Sequence, residues 1–283
     1  MTVRYELINL LSLDVVAGAI AGASFAVTLL SVHPGMAFWI CLPVAVWLIY
    51  TTDHLLDGLK NREKSRSIRH FFHYRYRFIL GTAIVIFGAI AAVVAFNYLP
   101  IGLVRFGILI GALSLLYLFI TWYLSRHSNK YFFKEVVIAF IYIIGIWGGP
   151  LILFGYRHHP VILIILPIYL SMALINLFTL SYFDLETDRQ DRHNSFTVIF
   201  GKKVTLTLIL LLLTLGFILS VSMLLLYTEE RIGAGSIILM VMILFQFLIV
   251  IFKDSFFVQH HHRPLGEAIF ILPALLPLYC TLF

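Results

Sequence analysis

The sequence predicts an all-α polytopic membrane protein: nine transmembrane helices, arranged as two parallel four-helix repeats plus a ninth helix around a central cavity. Three observations carry that expectation. The composition is too apolar for a water-covered surface, nine apolar runs have spanning length, and one acidic motif occurs twice. Of the 283 residues, 61% are hydrophobic and 12% charged, and mean hydropathy is +0.99. Ordinary soluble domains carry roughly a quarter of their residues as charges, so most of this chain's surface is suited to lipid.

Runs of ~20 apolar residues cross ~30 Å of hydrocarbon. They lie near 10–31, 36–57, 78–97, 101–123, 134–154, 160–182, 204–226, 234–252 and 265–283, and the whole of 1–283 reads as one transmembrane domain. Pro34-Gly35, Pro100, Pro160 and Arg263-Pro264 punctuate the breaks, where a spanning helix has to stop. The first run contains the small-residue steps "AGAIAGASFA", which resemble a cleavage site. It is long for the apolar part of a signal peptide, and is read as a retained helix.

Lys and Arg fix the expected orientation, because positively charged loops stay in the cytoplasm. Of the 20 basic residues, all but Arg105, Arg157 and Arg231 fall on one side of this topology. The expected location is the cell (inner) membrane, with a cytoplasmic N-terminus and an external C-terminus. The net charge of +6 is then explained by topology, and nucleic acid is excluded as a partner. Cys41 and Cys280 sit in apolar spans without metal-ligand spacing, so they read as small hydrophobes.

The second span ends "IYTTDHLLDGLKNREKSR", with Asp53 and Asp57 four residues apart before a basic stretch. The sixth ends "NLFTLSYFDLETDRQDRHNSFTVIFGKK", with Asp184 and Asp188 at the same spacing, again followed by cations. An even number of intervening spans separates the two motifs, so both reach the same face. Residues four apart share a helical face, and two carboxylates aimed at one point repel. A divalent cation offsets that repulsion, and hard oxygen ligands that leave room for water and phosphate suit Mg2+. Two such pairs backed by Lys and Arg would clamp a diphosphate, with apolar helices beneath to hold a hydrocarbon tail.

In these motifs the chain resembles the UbiA superfamily of intramembrane prenyltransferases, over essentially its whole length. The second motif follows the family pattern closely: Asp-x-x-x-Asp, a polar loop, then Ser/Thr and Gly before the seventh helix. The first departs from it, with Ile49 and Tyr50 where the family places an Asn and often a further polar residue. The resemblance implies Mg2+-dependent transfer of a prenyl group from an isoprenyl diphosphate to an aromatic or lipid acceptor, a hydrophobic partner held within the bilayer. It implies Asp53, Asp57, Asp184 and Asp188 as metal ligands, and Arg62, Arg66, Lys134 and Arg189 as contacts to diphosphate. Loops at about 58–77 and 189–203 would cap the site. A terpene cyclase of the same type or a catalytically degenerate member are alternatives, and a membrane transporter is an alternative of another class.

Asp14, Asn176 and Tyr123 are candidate cavity residues, the first because an ionisable group in an apolar span is functional by default. Tyr117, Trp122, Tyr142 and Trp147 also lie on suitable helices to face a carbocation. Glu267 is expected to pair with Arg263 one turn earlier. The histidines of "SIRHFFHYRYRF" and the run His260 to His262 lack a zinc-site pattern. The former segment reads instead as an amphipathic surface helix, with Ile68, Phe71, Phe72 and Tyr76 dipping into lipid and its cations in water.

Overall fold

Inside hydrocarbon no water is available to backbone N–H and C=O groups, so each spanning segment satisfies them within itself by forming a helix. The computed structural model follows that rule. It describes residues 3–61, 67–127, 133–155, 159–191, 194–252 and 262–282, and every regular element among them is helical. Arg62 and Arg66 lie outside the described residues.

A short α1 (Val3–Leu10) precedes the first span, α2 (Leu13–Leu30). The first half continues with α3 (Met36–Asn61), a short α4 (Ile68–Arg75), α5 (Arg77–Tyr98) and α6 (Ile101–His127). The second half repeats that order with α7 (Lys134–Phe154), α8 (Val161–Phe183), a short α9 (Leu185–Gln190), α10 (Phe196–Leu226) and α11 (Glu230–Ile251). The last span is broken into α12 (His262–Ile269), a 3-10 turn (Leu272–Ala274) containing Pro273, and α13 (Leu275–Leu282). Among the described residues, nine segments are long and apolar enough to cross a membrane, which makes this a multi-pass membrane protein. In each half the second span packs along the third, α3 on α5 and α8 on α10, while the two first spans, α2 and α7, meet each other.

The core gathers on α2, α7 and α8. Ala19, Ala23 and Ala26 are fully buried on α2, small residues that let membrane helices approach closely. Phe25 of α2, Trp147 of α7 and Tyr169 of α8 interlock edge to face, with ring centroids 5.2 to 6.3 Å apart. Trp147 therefore belongs to the core and not to a cavity wall. By contrast α5 buries Leu80 and turns Val85, Val93 and Phe96 outward, an apolar surface suited to lipid.

Two local features depart from the hydropathy pattern. The seventh span starts at Phe196, before the expected 204. Its polar first turns are held by side chains: Glu135 accepts from the Phe196 N–H at 2.8 Å, and Ser181 accepts from the Thr197 N–H at 2.9 Å. A kink follows at Gly201, where φ is +81°, a conformation that a residue without Cβ adopts freely. The other departure is α4. Ile68, Phe71 and Tyr76 are exposed, while His73 is fully buried and Arg69 turns inward to donate to Asn9 at 2.8 Å. The polar face of α4 docks on the polar end of α3, so Ile68, Phe71 and Tyr76 stay outward as expected while Arg69 turns away from water, which the expectation did not include.

That docking depends on Gly58. A Cβ there would lie 2.5 Å from the His70 carbonyl oxygen and 3.1 Å from the Tyr74 nitrogen, both backbone atoms that cannot swing away. Gly58→Ala is therefore expected to push α4 off α3 at a cost of ~1–3 kcal/mol. Thermal unfolding in detergent measures it, and an unchanged midpoint would show that α4 is held elsewhere.

Candidate functional site

Helical spacing places Asp53 and Asp57 one turn apart on α3. Asp53 and Tyr50 line the head of a partly open cavity of about 160 Å³ lined by α3, α6 and α7. Asp57 lies 3.7 Å from Nε2 of His70, so α4 contributes a side chain directly over the first acidic pair. The second pair starts where α8 ends, at Asp184, and continues into α9, with the Asp188 N–H donating to the Asp184 carbonyl at 2.8 Å. Lys134, the first residue of α7, stands within electrostatic reach of Asp53, Asp57, Asp188 and its neighbour Glu135. One ammonium thus faces carboxylates from both halves of the protein.

Asp184 has a different partner. Its Oδ2 accepts from Arg263 of α12 at 2.5 Å. Arg263 also feels Glu267, but the close contact runs across to α8 and not along its own helix to Glu267 as the spacing had implied. Glu267 is buried and senses Asp14, Arg69 and Arg263. Asp14 is buried too, and accepts from Asn9 Nδ2 at 2.6 Å. Arg69 reaches His54 Nε2 at 3.0 Å as well as Asn9. A polar network therefore joins α1, α2, α3 and α4 beside the two acidic pairs.

Above the site the two expected loops touch. Ser67 caps α4, and its N–H donates to Oδ2 of Asp191 at 3.4 Å. Asp191 is buried, and its charge at a helix N-terminus is favourable. Burial holds the imidazoles of His70 and His73 below their ordinary value, His73 at about 4. Both rings are neutral at physiological pH.

The remaining candidates are placed as follows. Arg189 is exposed and 3.6 Å from Glu186 one turn earlier. Asn176 faces Gly266 of α12, its Oδ1 2.6 Å from where a Cβ would stand. Tyr123 is exposed and its ring is stacked on Phe119, whereas Tyr117 and Tyr142 line the cavity with Tyr50. Sequence reasoning missed Arg69 and His54, and it gave Arg263 the partner Glu267 in place of Asp184. Nothing in the spacing of Arg69 or His54 distinguishes either from a polar residue at the membrane surface.

Among the described residues no three His, Cys, Asp or Glu side chains converge tightly enough to hold a metal by themselves. Mg2+ does not require this, since it binds through one or two carboxylates plus waters and substrate phosphates. The donor set fits that mode: carboxylates in pairs, oxygen-only, beside a cation able to share a phosphate.

Among the described residues, nine helices of spanning length form the bundle, and Asp53 stands at the head of its apolar cavity. The same fold is seen in a UbiA homologue from Aeropyrum pernix K1, solved without ligand. It is 13% identical, with a TM-score of 0.65 over 96% of this chain and 98% of that one. It is also seen in a UbiA homologue from Archaeoglobus fulgidus bound to GPP and Mg2+, 11% identical with a TM-score of 0.66 over 95% of this chain and 98% of that one. The Archaeoglobus fulgidus homologue bound to DMAPP and Mg2+ is 12% identical, with a TM-score of 0.65 over the same shares of each chain. The chain therefore has the UbiA fold. No family model matches the sequence, and no curated protein matches it.

Burial pushes the Asp188 carboxyl up to about 6, with the Ser195 hydroxyl and the Lys134 ammonium opposing the rise. A carboxylate whose folded pKa is raised loses stability as pH climbs from its unfolded value near 4 to its folded value, and carries the penalty above that window. After discounting for partial exposure the penalty is ~1–2 kcal/mol. Asp188→Asn is accordingly expected to unfold at higher temperature than the parent at pH 7.5 and at the same temperature at pH 4. A variant less stable at both pH values would show that the carboxylate is structurally required.

Proposed function

We propose that this protein transfers a prenyl group from an isoprenyl diphosphate to a hydrophobic acceptor, aromatic or lipid, within the membrane, in a Mg2+-dependent reaction. The observation that carries the reading is the position of Lys134, facing Asp53, Asp57 and Asp188 beside the head of an apolar cavity. GPP and DMAPP, bound with Mg2+ in the Archaeoglobus fulgidus homologue, are ligands of this kind.

In this reading Asp53 and Asp57 would hold one Mg2+ and Asp184 and Asp188 a second. When bound, Mg2+ offsets the charge that develops on the departing diphosphate. Lys134 donates to the diphosphate oxygens, with Arg62, Arg66 and Arg189 as further contacts. The allylic C–O bond breaks with its electron pair leaving on the diphosphate. Tyr50, Tyr117 and Tyr142 present π faces to the resulting cation and, with the apolar walls, keep water from it. The acceptor then supplies the electron pair of the new bond and gives up its proton. Asp14 and Asn176 serve as polar groups at the acceptor side. The loops around α4 and after α9 cover the site, at the cytoplasmic face of the cell membrane, consistent with the distribution of Lys and Arg.

The test is diphosphate release by purified protein with prenyl diphosphates, Mg2+ and candidate acceptors, products being identified by mass. Asp→Asn at Asp53, Asp57, Asp184 and Asp188 is each expected to cost ~10²-fold or more in rate while folding survives. Turnover near the parental rate in the Asp53 and Asp188 variants would overturn the assignment, and a cyclic hydrocarbon formed without acceptor would identify a cyclase instead.

A further inference from the structure

Asp184 stands where α8 ends and α9 begins. An Asp at that position ordinarily accepts a backbone N–H from the first turn of the helix that follows. No side-chain bond caps α9, and the carboxylate turns instead to the last span, where its Oδ2 accepts from Nη2 of Arg263 at 2.5 Å. Arg263 lies in the first turn of α12, the helix end at which the macrodipole disfavours a cation. Its position is therefore set by the carboxylates around it, with Asp184 in contact and Asp188 and Glu267 within electrostatic reach.

The cations of the two acidic pairs are placed differently. The ammonium of Lys134 is shared among Asp53, Asp57 and Asp188, whereas the guanidinium of Arg263 touches one oxygen of Asp184. A divalent cation ligated by Asp184 would stand beside that guanidinium. Their repulsion falls only when the guanidinium moves or an anion comes between them. The surroundings allow both. Glu267 is buried one turn further along α12, at the spacing of an intrahelical ion pair, so Arg263 has a second carboxylate on its own helix. A diphosphate, in turn, offers paired oxygens that match the planar fork of a guanidinium.

Resting on the prenyl-transfer reading, we infer that Arg263 is the resident counter-cation of the second acidic pair and a contact for the substrate diphosphate. It holds Asp184 until the diphosphate arrives, then turns to the diphosphate oxygens and leaves Asp184 to the second Mg2+. The exchange makes and breaks no covalent bond. In the free protein the guanidinium compensates a carboxylate that would otherwise stand unpaired beside lipid. With substrate bound, the diphosphate lies between metal and guanidinium and screens one from the other. Arg263 therefore positions the second metal by withholding its ligand, and its effect falls on metal affinity before any turnover.

The experiment uses Mn2+ in place of Mg2+, bound ions being counted by loss of the free-ion electron paramagnetic resonance signal. The parent, Arg263→Gln and Arg263→Lys are compared in detergent with and without inorganic pyrophosphate, and thermal unfolding is followed with and without Mn2+. Without pyrophosphate the parent is expected to bind one Mn2+ and a second about tenfold or more weakly. With pyrophosphate the two are expected to fill together. Arg263→Gln is expected to bind the second ion about tenfold or more tightly than the parent does without pyrophosphate. It is also expected to regain with Mn2+ the unfolding temperature that it loses without metal, whereas loss of a purely structural arginine lowers that temperature equally in both conditions. Arg263→Lys keeps the cation and is expected to keep the parental ratio of the two affinities. An unchanged second affinity in folded Arg263→Gln, or equal affinities in Arg263→Lys, overturns the inference. So do two equal Mn2+ sites in the parent without pyrophosphate, a result that needs no variant, and each of these leaves prenyl transfer standing. A parent that binds no Mn2+ even with pyrophosphate and releases no diphosphate from any prenyl diphosphate with Mg2+ overturns the prenyl-transfer reading, and the role of Arg263 with it.

Discussion

Carboxylates beside lipid are tolerated only when each is compensated, and at the acidic end the compensating charges are Lys134 at the start of α7 and Arg263 of α12. Lys134 sits at the N-terminus of its own helix, where the macrodipole disfavours a cation, and is held there by Asp53, Asp57 and Asp188 from outside that helix. Its neighbour Glu135 accepts the Phe196 N–H at 2.8 Å, tying down the first turn of α10. Glu135 therefore fixes α7 to α10 by a hydrogen bond, while Lys134 offsets carboxylates on α3 and α9 through its charge. Displacing α7 would strand carboxylates in both halves and free the start of the seventh span at once.

The same residue type serves opposite ends on the two sides of α7. Toward α2 and the last span, glycines permit close approach: a Cβ on Gly18 would lie 2.9 Å from Phe270 Cβ, and one on Gly22 3.2 Å from Ile146. This is how membrane helices ordinarily use small residues. On α6, Gly107 and Gly111 meet nothing, and neither does Gly145 on the far face of α7. Helices that cannot close over these positions leave a hollow, so the cavity is a consequence of where packing is forgone. The dense side anchors the bundle, which permits the other side to stay open.

What the sequence made legible was whatever hydropathy and helical spacing encode. Apolar runs located all nine spans, because length against bilayer thickness is a one-dimensional property. The Asp-x-x-x-Asp repeat marks two acidic pairs at helix ends; spacing of four gives Asp53 and Asp57 a common face of α3, whereas a break at Asp184 separates the second pair between α8 and α9. Arg263 shows the limit. One turn before Glu267, it has the spacing of an intrahelical pair, yet α12 presents it to the end of α8, where Asp184 accepts from it at 2.5 Å. Spacing cannot weigh an intrahelical partner against one brought by another helix. Arg69 fails to announce itself for the same reason, since its inward position depends on Gly58 of α3 admitting α4. Tyr123 and Tyr117 lie on one helix with the same chemistry, and only the packing of α6 turns Tyr117 to the cavity and Tyr123 outward.

The charge balance at the acidic end bears on the order in which ligands can enter. Asp53, Asp57, Asp184 and Asp188 face Lys134 and Arg263, so this set carries a formal excess of two negative charges when all are ionised. One divalent cation cancels that excess. A second, entering alone, would leave two positive charges at the edge of an apolar cavity, and at Asp184 it would compete with a guanidinium already in contact. A diphosphate ester brings about three negative charges, and its arrival with both cations leaves the set close to neutral. Within the prenyl-transfer reading, a fully loaded site with two metal ions is therefore electrostatically consistent only in the presence of substrate.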